Sequence, residues 1–229
     1  SAVPATQELP AAIPTPLETK SKPHSLWLAA LVTVLLVGLV TLVVTTYQSP
    51  TIAVASPAPA APQRWQELAD LPTARSGLAI AVYENQIYAI GGETAQGVTG
   101  VMEQYDVASD KWKALTPKPL PVTDIHAAVI GGQIYIPGGR LASGGMTDVL
   151  ESYDPRRALW ERHAPLPVAL NGYALVAFEG KLYVFGGWDG QKFLASVYEY
   201  DPGQDNWIER TPMPTARGFA GAAIAGGKI

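Results

Sequence analysis

The apolar pattern changes character three times along the chain. Residues 1–24 carry five prolines and no apolar period, a composition that buries too little to offset ordering and predicts a disordered segment. From Ser25 to Tyr47 no side chain is charged, and LWLAALVTVLLVGLVTLVVTT is leucine and valine on every side. At about 1.5 Å per residue this run reaches roughly 33 Å, which predicts a transmembrane helix over 25–47. Residues 48–63 are rich in proline and alanine, with Pro50, Pro57, Pro59 and Pro62, and predict an extended linker. Beyond residue 64 the pattern becomes short alternating runs divided by turn residues. In the first set, GLAIAVYE (77–84), QIYAIGG (86–92), VMEQYD (101–106) and KWKAL (111–115) read as strands a, b, c and d. Glu84-Asn85, a Gly-rich loop at 93–100 and VASD at 107–110 separate them.

That set of strands recurs. IYAIGG (87–92) returns as IYIPGG (134–139) and LYVFGG (182–187), so Gly92, Gly139 and Gly187 are 47 and 48 residues apart. Trp65, Trp112, Trp160 and Trp207 step by 47, 48 and 47. Tyr-Asp pairs stand at Tyr105-Asp106, Tyr153-Asp154 and Tyr200-Asp201. Turns of Leu/Met-Pro type stand at Leu71-Pro72, Leu120-Pro121, Leu166-Pro167 and Met213-Pro214. A period near 50 residues made of short strands indicates four-stranded blades arranged radially. Small residues in strand a, such as Ala79, Ala81, Ala128 and Ala174, suit the crowded place where blades converge. Trp65 has no strands a to c ahead of it, so residues 63–68 are expected to form a lone strand d that completes the last blade of a closed ring. The GGKI at 226–229 opens a further copy, and the chain reads as a piece of a longer protein with further repeats.

The Gly-Gly pair ending strand b, an Asp six residues ahead of a Trp, and the Leu/Met-Pro turn together resemble the kelch repeat. The resemblance covers about residues 63–229. It implies an all-β, kelch-type β-propeller of about three complete four-stranded blades and part of a fourth, here preceded by a single transmembrane helix. Arg75 and Arg217 match the arginine usual after the turn in kelch repeats, whereas Asp124 and Leu170 are read as departures from it. Such motifs speak to fold and little to activity.

Composition narrows the partners. A formal net charge of −4 and a pI near 5.4 argue against nucleic acid, which would favour a basic face. The absence of cysteine excludes disulfides and thiolate metal sites. Lys20, Lys22 and His24 precede the apolar run, and no Lys or Arg follows it before Arg64. The positive-inside rule then puts the N-terminus in the cytoplasm and the repeats outside it. Ala53-Val54-Ala55 resembles a signal-peptidase site, but the apolar run is too long and ends too early for a cleaved leader. Cleavage there would leave a secreted interaction scaffold instead of an anchored one.

Candidate chemistry gathers on one face. Strands alternate direction, so the d-to-a and b-to-c connections emerge together. They bring TARS (73–76), VTDIH (122–126), ALNG (169–172) and TARG (215–218) beside the loops 93–100, 140–148 and 188–195. Loops on a rigid scaffold commonly bind partners, which makes Arg75, Asp124, His126, Arg140, Asn171, Trp188, Asp189 and Arg217 the candidate ligand contacts, for a protein or a carbohydrate. No nucleophile elbow, phosphate loop or paired metal-ligating histidines occur, and no catalytic residue, cofactor or metal is assigned. The leading reading is a membrane-anchored binding module, the sensing half of a transmembrane protein. The alternative is an envelope enzyme acting on sugars, similar to the sialate mutarotases.

Overall fold

The computed structural model describes residues 65–229. The disordered segment, transmembrane helix and linker read over 1–63 lie outside the described residues. Among the described residues no helix is long and apolar enough to cross a membrane.

The first blade is built from β1 (Ala79–Tyr83), β2 (Gln86–Ile90), a small hairpin of β3 (Glu93–Thr94) and β4 (Gly97–Val98), then β5 (Met102–Asp106) and β6 (Lys111–Ala114). The second holds β7 (Ala128–Ile130), β8 (Gln133–Pro137), β9 (Leu150–Asp154) and β10 (Leu159–His163). The third holds β11 (Ala174–Phe178), β12 (Lys181–Phe185), β13 (Val197–Asp201) and β14 (Asn206–Arg210). Each blade is one antiparallel up-and-down sheet in sequence order, with β3–β4 set apart as a two-stranded ribbon. The hairpin replaces the plain loop expected at 93–100. Strand β7 starts two residues later than β1 and β11, and the exposed His126 stands at the place of the buried Ala79 and Ala174.

Cross-strand aromatic pairs anchor every outer edge. Tyr105 faces Trp112, Tyr153 faces Trp160 and Tyr200 faces Trp207 in register, with ring centroids 5.1, 5.1 and 4.9 Å apart. Each indole nitrogen donates to the segment that enters the blade: Trp112 to Ala69 O, Trp160 to Thr116 O and Trp207 to Ala164 O. Residues 65–70 form no strand, so the lone strand d is not present among the described residues, which offer no strand c for it to pair with. Ala69 nonetheless meets Asp110 and Trp112 as Ala164 meets Asp205 and Trp207. The stretch therefore runs where a neighbouring blade's outer strand would end.

Blades join through apolar clusters and backbone bonds. Ala79, Ala81, Ile90, Met102, Val122, Ile134 and Tyr153 form one shared core, and the first strands β1, β7 and β11 adjoin one another. The amides of Gly92, Gly139 and Gly187 donate to the next blade at Val122 O, Leu170 O and Arg217 O. Bridges of Ser76 with Glu93, Thr123 with Arg140 and Asn171 with Trp188 set the repeat register. Arg75, Val122, Leu170 and Arg217 are thus equivalent, four residues after Leu71, Lys118, Leu166 and Met213. This corrects the sequence alignment by two residues in the second blade. Lys118-Pro119, not Leu120-Pro121, matches Leu71-Pro72, and Asp124 matches Gly77 instead of Arg75.

Candidate functional site

The candidate residues divide into three groups. Arg75 is inside its blade. Its side chain is fully buried, with Nη1 2.5 Å from Glu103 Oε2 on β5 and further bonds to the carbonyls of Thr73, Ala89 and Gly91. It ties the entering segment to the sheet and presents nothing to a ligand. Arg217 holds the equivalent position beside a cavity of about 320 Å³ walled by Ala174, Phe185 and Met213. There it is exposed, and its Nε donates to Thr215 O.

Asp124, Arg140 and Asn171 converge, together with Glu93, which the sequence reading missed. Arg140 Nε donates to Asp124 Oδ2 at 2.9 Å and Nη2 to Glu93 Oε2 at 2.6 Å. These bonds, Glu93's first and Asp124's second, raise the guanidinium above its usual pKa range. Asn171 Nδ2 reaches the same Asp124 Oδ2 at 3.2 Å, while Asn171 Oδ1 is buried and unpaired. One chain of contacts thereby runs across three blades. Glu93 carried a detectable signal: Glu93, Arg140 and Trp188 each follow a Gly-Gly pair directly.

The backbone under this cluster is tight. Asp124 has φ +59°, where the first and third blades have Gly77 and Gly172 in the same left-handed region. A Cβ on Gly77 would lie 2.9 Å from Asp124 Oδ1, and one on Gly172 would lie 2.8 Å from the Phe219 ring. Each glycine leaves room for the side chain of the following blade. Gly172 N donates to Asp124 O, and Phe219 N donates to Gly172 O, which links these positions blade to blade.

Trp188 and Asp189 begin the third group. The Trp188 ring meets Phe193 edge-on at 5.0 Å, and Phe193 is 47% exposed. Asp189 accepts the amides of Gln191 and Lys192, and the Lys192 amide, then that of Gln191, lowers its carboxyl pKa. It shapes the turn that holds the two aromatics. His126 packs edge-on to Tyr173 at 5.8 Å and stays exposed to solvent.

Elsewhere, Ser152 Oγ and His163 Nε2 are 2.7 Å apart, with Asp205 Oδ1 3.8 Å from Nδ1. These are the residue types of a hydrolase triad, but the serine is 1% exposed and Asp205 already accepts from Tyr200 and Ala164. The group knits the second blade to the third. Among the described residues no three His, Asp or Glu side chains gather as metal ligands.

Antiparallel four-stranded sheets, repeated every 47 or 48 residues with their first strands adjoining, define the blades of a kelch-type β-propeller. The chain belongs to the kelch-repeat family: residues 77–229 match the family described as the KLHDC2/KLHL20/DRC7 Kelch-repeats domain. Beta-scruin of Limulus polyphemus is 30% identical over 167 residues, which are 72% of this chain and 14% of that protein. Kelch-like protein 15 of Danio rerio is 34% identical over 79 residues, 34% of this chain and 13% of that one. Kelch-like protein terF of Aspergillus terreus is 37% identical over 87 residues, 36% of this chain and 19% of that one. The chain thus spans less than a fifth of the length of these relatives. The solved structure described as "Structure of YjhT" superposes with a TM-score of 0.61 at 19% identity, over 68% of this chain and 57% of that one, a likeness of fold.

Proposed function

We propose that this chain is a protein-recognition module and that the partner binds on the face formed by the d-to-a and b-to-c connections. The observation that supports it is the continuous run of Glu93, Arg140, Asp124, Asn171, Trp188 and Phe193 across three blades. It sets an arginine and a tryptophan, residue types enriched among those that dominate binding energy at protein interfaces, beside the exposed Phe193. Partner capture by the intact protein should fall about tenfold or more with Phe193→Ser or Trp188→Ala. Lys113→Glu, on the outer strand β6, should leave capture unchanged. Equal capture by all three variants would contradict the reading.

The fold is completed, on this account, by further repeats that close the ring. Ile80 and Val82 support this: they are 51% and 63% exposed on the first blade, whereas Val129 and Ala177, at the place of Val82, pack against the cores. Residues 25–47 anchor the module in a membrane, with the repeats outside the cytoplasm and the chain serving as the receiving half of a transmembrane protein. The uncharged run and the flanking Lys20 and Lys22 support this. A single cysteine introduced into a cysteine-free form of the intact protein reports topology. A membrane-impermeant maleimide on intact cells should label Lys113→Cys and spare Lys22→Cys; the reverse pattern would refute the orientation.

A further inference from the structure

We infer that this face selects a protein segment presenting a basic side chain next to an aromatic or aliphatic one. Asp124 and Glu93 receive the base, and Trp188 with Phe193 receives the apolar group. The inference rests on the loop-face reading above and names the chemistry of its partner.

The polar half of the site is short of donors. Two carboxylates share one guanidinium, so the group carries one surplus negative charge. Arg140 engages only Glu93 Oε2 and Asp124 Oδ2. Among the described residues, no donor is paired with Glu93 Oε1 or Asp124 Oδ1. Asn171, 3% exposed, adds a third acceptor without a donor in its Oδ1. An incoming guanidinium or ammonium supplies both the charge and the N–H groups that this arrangement lacks, and charge-assisted bonds of that kind are the strong ones.

Stability does not account for the arrangement. The Arg140 side chain is 30% exposed, and ion pairs so open to water contribute only about 0–1 kcal/mol. Asp124 is also held at φ +59°, in the left-handed region that aspartate tolerates better than most residues other than glycine. The blades on either side place Gly77 and Gly172 there. The chain therefore keeps a carboxylate where the two flanking blades carry no side chain.

The apolar half is contiguous with the polar one. Asn171 pairs through its backbone with Trp188 and through its side chain with Asp124. The turn after Trp188 also approaches the Arg140 loop, since a Cβ on Gly190 would lie 3.9 Å from Met146, the bridge partner of Arg140. A segment laid across the face would meet Phe193 and Asp124 together.

The test is selection of a displayed library of random 12-residue peptides against the intact protein. Enriched peptides should pair an apolar anchor with Lys or Arg. Asp124→Asn keeps the shape and tolerates the same backbone, and should weaken those peptides about tenfold by removing the charge contact; Glu93→Gln should act in the same direction. Enrichment of acidic or uncharged peptides, or peptides indifferent to both substitutions, would overturn the inference. If such peptides are still lost with Phe193→Ser, the loop-face reading survives alone. Binding indifferent to Phe193→Ser as well, or no enrichment at all, would overturn both.

Discussion

Lys118 Nζ lies 2.6 Å from Glu151 Oε2 in the second blade, taking over from a different repeat position the contact that Arg75 Nη1 makes with Glu103 in the first. Glu103 and Glu151 are equivalent on strand c, facing Ala89 and Ile136. The cation has moved four residues, from the place of Val122 to that of Leu71. The third blade removes the pair altogether: Tyr198 replaces the carboxylate, and Leu166 and Leu170 fill both cation positions in an apolar cluster. A buried ion pair and a packed apolar set are alternative solutions here, as the balance of desolvation against attraction allows.

Lys118→Leu should therefore destabilise the protein by about 3 kcal/mol, because it leaves Glu151 buried with the Leu120 amide at 3.4 Å and, as its one remaining cation, Arg162 at 3.5 Å. The double substitution Lys118→Leu/Glu151→Tyr copies Leu166 and Tyr198 and should recover most of that loss. Urea unfolding of the unsubstituted protein, Lys118→Leu, Glu151→Tyr and the double variant measures it; a double variant as unstable as the sum of its singles would contradict the equivalence.

Ala158 marks a missing bond. Asp110 and Asp205 sit at the same turn with positive φ, as Ala158 does. Each accepts a tyrosine hydroxyl and a backbone amide from the entering segment: Tyr105 and Ala69 in one case, Tyr200 and Ala164 in the other. Ala158→Asp should offer the same to Tyr153 and Thr116 and raise stability by about 1 kcal/mol. A thermal midpoint unchanged or lowered would count against this.

Glu199 predicts an acid-sensitive contribution. Arg210 and Lys181 bond to it at 2.7 Å each. Arg210 first and Lys181 next, against the opposing effect of burial, bring its pKa down from 4.5 to about 2. A carboxyl whose folded pKa is depressed stabilises above its unfolded value and loses that stabilisation as pH falls. Unfolding free energy should accordingly decline from pH 4.5 toward 2, and Glu199→Gln should flatten that part of the profile. An identical slope in both proteins would show that other carboxylates carry it.

Gly77→Ala should destabilise by about 1–3 kcal/mol, since alanine would be strained at φ +62° and its Cβ would press on Thr123 Oγ1 and on Asp124. Gly131→Ala is the control for backbone strain alone, because φ is +59° there and no atom lies within 4 Å of the added Cβ. Equal losses at both sites, read by urea unfolding, would exclude the steric part of this account.

The strands were legible because four markers repeat with one step, and alternation placed β1, β2, β5 and β6 within two residues of their observed ends. Register in the second blade was not, because Pro119 and Pro121 offer two candidate turns, and Leu120-Pro121 fits the Leu/Met-Pro type better than Lys118-Pro119 does. The tryptophan steps of 47, 48 and 47 lead from Leu71 to Lys118, Leu166 and Met213, so period was the better guide than residue type. Arg75 and Arg217 look identical in sequence, yet the first is buried against Glu103 while the second is exposed. That difference comes from which strands surround each arginine. The Glu93–Arg140–Asp124 contact could not be read along the chain, because it joins residues of two blades through side-chain geometry.

Amide hydrogen exchange with a library-selected peptide bound to the intact protein tests the central claim most directly. The account predicts new protection at 93–100, 122–126, 140–148 and 188–195, with the a-to-b and c-to-d turns at 84–85, 107–110, 131–132 and 202–205 unchanged. Protection gathered on those turns instead would place recognition on the opposite face and contradict the account.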